Sequence, residues 1–378
     1  GYIYPLYLSP LRKIPGPPVD NFILGHYATF LKKGLGESLA HLAKQYGGIV
    51  RYHALFNKPY LLISDPKLVQ KVLINHSYDY AKLFLNTTVA KDMFGEGILL
   101  ANGDSHKRQR KMMNPSFAFA NIKEMAPTFV QAGYKLKDIW IKQIGNKKEK
   151  RITITALIPK ITLDVIVVEQ KNSLIQGKDL LSLLVKANEK LPVDEQLTHD
   201  ELLSQVMTLL IAGHETTSTA LSWALYYLAK YPDVQNHLRK ELLDVFIDRN
   251  HFPTFDEIEQ LKYLDCVFKE TLRIAPPFYA IHHDPLIWGG DAKHFNPSRW
   301  LDPEIKAKIS NNTFFPFGAG PASCLGMKMA QLELKFILSI IIRNFEFKLV
   351  EGFTFQKKTL VVTRPEPGID LWVSKVDY

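Results

Sequence analysis

Thr198 and Glu201 open the longest helical pattern in the chain, HDELLSQVMTLLIAGHETTSTALSWALYYLAKY, which meets no proline until Tyr231-Pro232. A threonine followed three residues later by a glutamate is a capping box, in which the two side chains reciprocally satisfy backbone N–H groups that a helix start leaves unpaired. Pro232 ends the pattern because the residue before a proline is pushed out of the helical region. At 1.5 Å per residue the helix is roughly 50 Å long, enough to cross a domain of 378 residues. It is expected to run through the interior, buried nearly all round, because its apolar residues keep to no single stripe. The rest of the fold must be wrapped around it.

Helical patterns fill most of the remaining chain, with β-structure at the two ends. IVRYHA (49–54) and YLLIS (60–64) read as a hairpin, followed by Asp65-Pro66 as a helix start. Near the C-terminus, TLVVTRPEPGIDLWVS (359–374) reads as a second hairpin that turns at Pro-Glu-Pro-Gly. The fold class is therefore mainly α with small β-sheets. With 46% hydrophobic and 22% charged residues and no linker or internal repeat, residues 1–378 are expected to form one domain. Residues 1–18, ending in Pro15, Gly16, Pro17 and Pro18, read as a proline-rich arm or hinge, equally the stub of a removed membrane anchor or an ordinary surface arm. The longest apolar runs, such as ALSWALYYLA, fall short of the roughly 20 residues a membrane span needs.

The net charge of +9 suits an acidic partner or an anionic surface. The basic residues are scattered and no nucleic-acid motif accompanies them, so nucleic acid is not an expected partner. The two cysteines, Cys266 and Cys324, lie far apart without CxxC spacing, which argues against a disulfide framework or a structural zinc site.

Two places carry unusual chemistry. In the middle of the long helix, AGHETT (212–217) sets Gly213 and two threonines where apolar residues would be expected. Gly213 weakens a helix by about 1 kcal/mol and the hydroxyls compete for backbone bonds. This reads either as a local distortion beside a bound group or as close helix packing with hydroxyls bonded back to carbonyls. The second place is FFPFGAGPASCLG (314–326), a glycine-rich loop that leads into the buried helix pattern 326–345. Cys324 falls at or just before that helix start, where the dipole favours a thiolate, and loop N–H groups could form a nest around it. A nucleophile, a redox switch, an iron ligand and a small packed hydrophobe all remain open for it on these grounds.

Phe317, Gly320, Cys324 and Gly326 match FxxGxxxCxG, and with that loop the chain resembles the cytochromes P-450, the haem-thiolate monooxygenases. AGHETT resembles the family's distal-helix signature, KETLR (269–273) its ExxR pair, and FNPSRW (295–300) its FxPxRW segment. GDSHKRQRKMMNPSF (103–117) resembles the helix that meets the haem propionates. The resemblance implies the P-450 fold, a helical domain around a haem with N- and C-terminal β elements, and haem b (iron protoporphyrin IX) as cofactor. It implies Cys324 as axial ligand to the iron, with Phe317, Gly318, Gly326 and Ala212 around the haem, Gly213 leaving room for dioxygen, and Glu215 with Thr216 as a proton relay. Glu270, Arg273 and Arg299 would form a buried charge cluster that fixes the loop. An apolar small molecule (lipid, sterol or xenobiotic), O2 and an NADPH-cytochrome reductase or similar acidic redox partner are the implied partners, with Arg108, Lys111, Lys328 and Lys335 as candidate contacts. The motif style resembles the eukaryotic membrane-bound branch, which implies the cytosolic face of the endoplasmic reticulum membrane, reached through an N-terminal anchor not present in this chain.

The sequence also departs from the family. Ala322 stands where a basic residue usually pairs with a propionate, so Arg110 is expected to carry more of that load, with His106 in place of the frequent Trp. The chain is short near 168–172 and 278–282, where segments that roof and line the active site are expected. A hydroperoxide rearrangement enzyme or peroxygenase, and a non-enzymatic haem sensor, are the alternative functions. The first usually lacks the acid and alcohol that Glu215 and Thr216 provide.

Overall fold

In a computed structural model the described residues are 9–33, 35–82, 91, 95–166, 180–193, 195–276, 282, 284–310, 313–359 and 362–376. The stretch 168–172 and most of 278–282 lie outside them.

The N-terminal unit is a hairpin of β1 (Ile49–His53) and β2 (Pro59–Ile63), paired antiparallel with Ile49 opposite Ile63. Asp65 caps the helix that follows by accepting from Leu68 N–H. Of the described part of the arm, Pro15 and Gly16 are docked on this unit. Pro15 O accepts from Arg51 N–H at 2.9 Å, and a Cβ on Gly16 would lie 1.9 Å from Arg51 O, so only glycine fits there.

The helical body comprises α1 (Gly103–Met113), α2 (Ala126–Ile144), α3 (Ile158–Ile166), α4 (His199–Lys230), α5 (Lys262–Ile274) and α6 (Met327–Asn344). Both halves of the capping box form at Thr198 and Glu201. From Leu221 to Ala229, α4 is buried almost all round. Its middle is not: Ala212 is exposed and Thr216 half-buried, so the expectation of all-round burial fails there. α6 is buried along most of its length and packs on α2, with Phe336 against Phe129 at 6.0 Å between ring centres. The two axes come together at Gly133, where a Cβ would lie 2.6 Å from Ile340 Cδ1.

The C-terminal β-structure differs from the expected single hairpin. β4 (Phe345–Leu349) and β3 (Glu149–Thr153) flank β7 (Asp370–Lys375) in one antiparallel sheet, whereas β6 (Thr363–Glu366) pairs with β5 (Gln356–Thr359) in another. Pro-Glu-Pro-Gly is therefore the joint between two sheets. Core demand explains the split. Leu371 and Val373 alternate inward on β7 beside Phe345, Phe347 and Ile152, and Trp140 meets both phenylalanines edge-on, while β6 is tied to α4 by Trp223 Nε1–H donating to Thr363 O at 3.0 Å.

The α2–α6 contact yields a first prediction. Gly133→Val should overpack this contact, cost about 1–3 kcal/mol and lower the urea midpoint, whereas an unchanged midpoint would show that α2 and α6 are not in close contact there.

Candidate cofactor and active site

The Cys324 loop is held at several points. Gly318 and Gly320 take φ of +72° and +69°, and a Cβ on Gly320 would lie 2.1 Å from Leu73 O. Cys324 N–H donates to Phe317 O at 2.7 Å, and Ser323 N–H to Gly320 O at 3.0 Å. Phe317 stacks on Phe268 of α5, 6.4 Å between ring centres. Of the expected N–H nest, the group that bonds the sulfur is Gly326 N–H, next to the helix start. Cys324 is open to solvent, yet surrounding protein mass still raises its thiol pKa, and Gly326 N–H and the Arg110 guanidinium, which pull it down, do not win. A metal cation at the sulfur would reverse the balance, because a coordinating thiol is deprotonated outright.

His106 and Arg110 lie one turn apart on α1, the i,i+4 spacing that puts both on one face. Arg110 donates to Ser323 O, next to the cysteine, and to Asn114 Oδ1 at 3.1 Å. A third basic group, missed in the sequence, is Lys82. Its N–H is bound by Asn102 Oδ1 at the start of α1, and its Nζ donates to Ile98 O and Leu99 O at 3.2 and 3.3 Å. Nothing in YAKLF marks this lysine; only the fold brings it to Arg110. Burial and then Arg110 lower the Lys82 pKa, and burial, Lys82 and Arg110 push His106 down to about 4. No carboxylate is among the groups acting on these three. A solvent-open thiol next to a basic cluster on which no carboxylate among the described residues acts fits a group that offers one metal position and two carboxylates.

On α4, the AGHETT stretch continues as regular α-helix, so of the two readings the back-bonded, close-packed one is found and the distortion is not. The hydroxyls bond back one turn: Thr216 Oγ1 to Ala212 O at 2.7 Å, Thr217 Oγ1 to Gly213 O at 3.1 Å. Gly213 is used for close helix packing. It faces α3, where a Cβ would lie 2.7 Å from Ile166 Cδ1, and Thr162 Oγ1 donates to His214 O alongside. Glu215 and Thr216 are not brought together; Glu215 instead pairs with Arg364 of β6 at 3.2 Å. That pair borders a cavity of about 480 Å³ whose lining includes His214, Ser218, Thr219 and Thr155.

The structure does join Glu270, Arg273 and Arg299. Arg273 meets Glu270 through two bonds of 2.8 Å and Arg299 meets it at 3.0 Å, all three side chains being almost fully buried. Two further members were not foreseen: Trp300 Nε1–H donates to Glu270 Oε2 at 2.9 Å, and Asp291 pairs with Arg299 at 2.8 Å. Burial works against the Asp291 carboxylate, yet Arg299 and Asn296 hold its pKa below the ordinary value.

Three of the four candidate partner contacts are engaged within the chain. Lys335 is buried and pairs with Asp265 at 2.8 Å, Lys111 pairs with Glu195 at 2.9 Å, and Arg108 pairs with Glu201 of the capping box. Lys328 is exposed.

A helical body with small antiparallel sheets, a cysteine loop fixed to an ExxR helix and a polar stretch on the central helix define a haem-thiolate architecture. The family model for cytochrome P450 matches residues 15–168, 167–279 and 274–372. The chain belongs to that family, whose cofactor is haem iron, and is a P450-type monooxygenase. It is 27% identical to Cytochrome P450 monooxygenase 128 of Postia placenta, over 95% of this chain and 90% of that one. It is 26% identical to Cytochrome P450 monooxygenase sphH of Aspergillus fumigatus, over 92% and 85%. It is 27% identical to 11-oxo-beta-amyrin 30-oxidase of Glycyrrhiza uralensis, over 84% and 79%. The Postia placenta alignment spans 499 positions, although this chain has 378 residues.

Two outcomes follow for stability. Glu270→Ala leaves Arg273 and Arg299 without their shared anion and should cost about 3–5 kcal/mol in urea unfolding; a loss no larger than that of a surface carboxylate would contradict the cluster. His106, its pKa depressed to about 4 from an ordinary 6.5, contributes stability present above pH 6.5 that is lost as pH falls toward 4, because only the unfolded chain takes up its proton readily there. His106→Gln should flatten the stability profile between those values.

Proposed function

We propose that the chain holds haem b between the Cys324 loop and the open middle of α4, and inserts one oxygen atom from O2 into an apolar small molecule with electrons from an NADPH-dependent reductase. The observation that carries this reading is the solvent-open thiol of Cys324, set beside Lys82, His106 and Arg110, on which no carboxylate among the described residues acts. Bound haem supplies the oxygen-activating and redox chemistry. Cys324 Sγ would be its axial ligand, steadied by Gly326 N–H, with Phe317 and Gly318 shaping the loop around it. The three basic residues would hold the propionates, Lys82 making good the positive charge that Ala322 lacks.

Ala212 and Thr216 would face the cofactor from α4. Thr216 Oγ1 spends its proton on Ala212 O, which leaves its lone pairs to accept a proton or order a water. Glu215 could reach it only by leaving Arg364, so the polar cavity beside that pair is read as the water side of the relay. The apolar substrate class is supported by the relative named 11-oxo-beta-amyrin 30-oxidase. Segments absent near 168–172 and 278–282 are supported by the family match, which runs in three segments that join by overlapping at 167–168 and 274–279.

For location, the cytosolic face of the endoplasmic reticulum membrane remains the reading. Phe22, Ile23, Leu24 and Phe56 are exposed together, tied by Phe56 N–H donating to Ile23 O, an apolar prong suited to a lipid surface. Among the described residues no helix is long and apolar enough to cross a membrane.

Labelled dioxygen tests the reaction. A lipid or sterol product formed with reductase and NADPH should carry one labelled oxygen atom. Turnover supported by hydroperoxide alone would favour the peroxygenase alternative, and no product under any regime the haem sensor. Arg110→Ala should release haem several-fold faster than the parent protein; equal retention would remove Arg110 from the propionate site.

A further inference from the structure

Tryptophan, frequent in the family at the position of His106, has an indole N–H that can only donate, whereas a neutral imidazole can present either a proton or a lone pair. Which one it presents is set by the bond made at its other nitrogen. His106 is 3% exposed, and its Nδ1 lies 3.2 Å from Tyr78 Oη, the two rings tilted at 56° with centres 5.8 Å apart. Lys107 Nζ sits 4.7 Å above the Tyr78 ring, so the phenol is pinned on its face as well as at its hydroxyl.

A phenol is a good donor and a poor acceptor, because its oxygen lone pair is drawn into the ring. The histidine ring is the acceptor the structure gives the Tyr78 proton. The bond is therefore Oη–H to Nδ1, which leaves the ring proton on Nε2. The neighbours sharpen the requirement. Burial, then Lys82 and Arg110, favour the neutral ring in the haem-free protein, so there its tautomer decides what it offers. A lone pair at Nε2 would repel the carboxylates that this basic cluster would hold.

We infer that Tyr78 is a positioning residue for the cofactor: its hydroxyl fixes His106 in the Nε2–H form, so that the imidazole donates to a haem carboxylate as an indole N–H would. The inference rests on the haem reading above and adds to it a tyrosine that acts only through the histidine.

The experiment measures haem transfer to haem-free myoglobin from the parent protein, Tyr78→Phe, His106→Trp and the double variant. Tyr78→Phe should release haem about tenfold faster than the parent. In the His106→Trp background, whatever rate that background sets, Tyr78→Phe should change it by no more than about twofold, because the indole needs no partner to fix its proton. Equal acceleration in both backgrounds, or none in the parent, overturns the inference. NMR of isotope-labelled histidine in the haem-free protein gives an independent readout, assigned by the signal lost in His106→Trp. Nε2–H in the parent and a tautomer mixture in Tyr78→Phe are expected; Nδ1–H in the parent overturns the inference even if haem binds normally. A parent protein that takes up no haem defeats the haem reading and this inference together.

Discussion

One buried carboxylate organises the half of the molecule that carries the cysteine. Glu270 accepts from Arg273 Nε and Nη2, Arg299 Nε, Trp300 Nε1 and Asn296 N–H, which draws α5 and the segment 296–300 into one knot. An isolated carboxylate so deep in protein would cost several kcal/mol, and the donors offset that only if all of them are in place. From there the constraint passes by packing. Trp300 meets Phe314 at 4.7 Å, where the cysteine loop begins, and Phe268 of the same helix meets Phe317. The loop is thus fastened at two points, to the 296–300 segment and to α5, and the sulfur's position follows from a charge cluster it never touches.

The opposite wall is less constrained. α4 is locked at its start by the capping box and at its end by burial, but its middle is open on one side and polar on another. The back-bonded hydroxyls keep the helix regular through AGHETT, so chemistry there depends on side chains that can turn rather than on a broken backbone. Glu215 illustrates this: its carboxylate faces β6 and a polar cavity, with Thr216 on the next position around the helix. The two elements differ in rigidity, one fixed by buried charge and the other held at Glu215 by a surface ion pair.

Much of this was legible in the sequence, because the deciding signals are local. The capping box, the proline stop, the first hairpin, the glycine loop ahead of α6 and the ExxR spacing each depend on residues within a few positions of one another. What was not legible is long-range. Lys82 reaches Arg110, Asp291 reaches Arg299 and Glu215 reaches Arg364 only through tertiary packing. The partition of 359–374 into two sheets depended on which face of β7 the core required, a choice the turn residues could not reveal. Cys324 combines the two. Local rules marked the cysteine by its glycine loop and helix start, but the Arg110 guanidinium that acts on it comes from α1, far away in sequence.

The central claim is that Cys324 Sγ binds the haem iron. A carbon monoxide difference spectrum of the reduced protein addresses it directly. The account predicts the long-wavelength, thiolate-type Soret band for the parent protein and its loss in Cys324→Ser. A parent protein without that band, or a Cys324→Ser variant that keeps it, would contradict the claim.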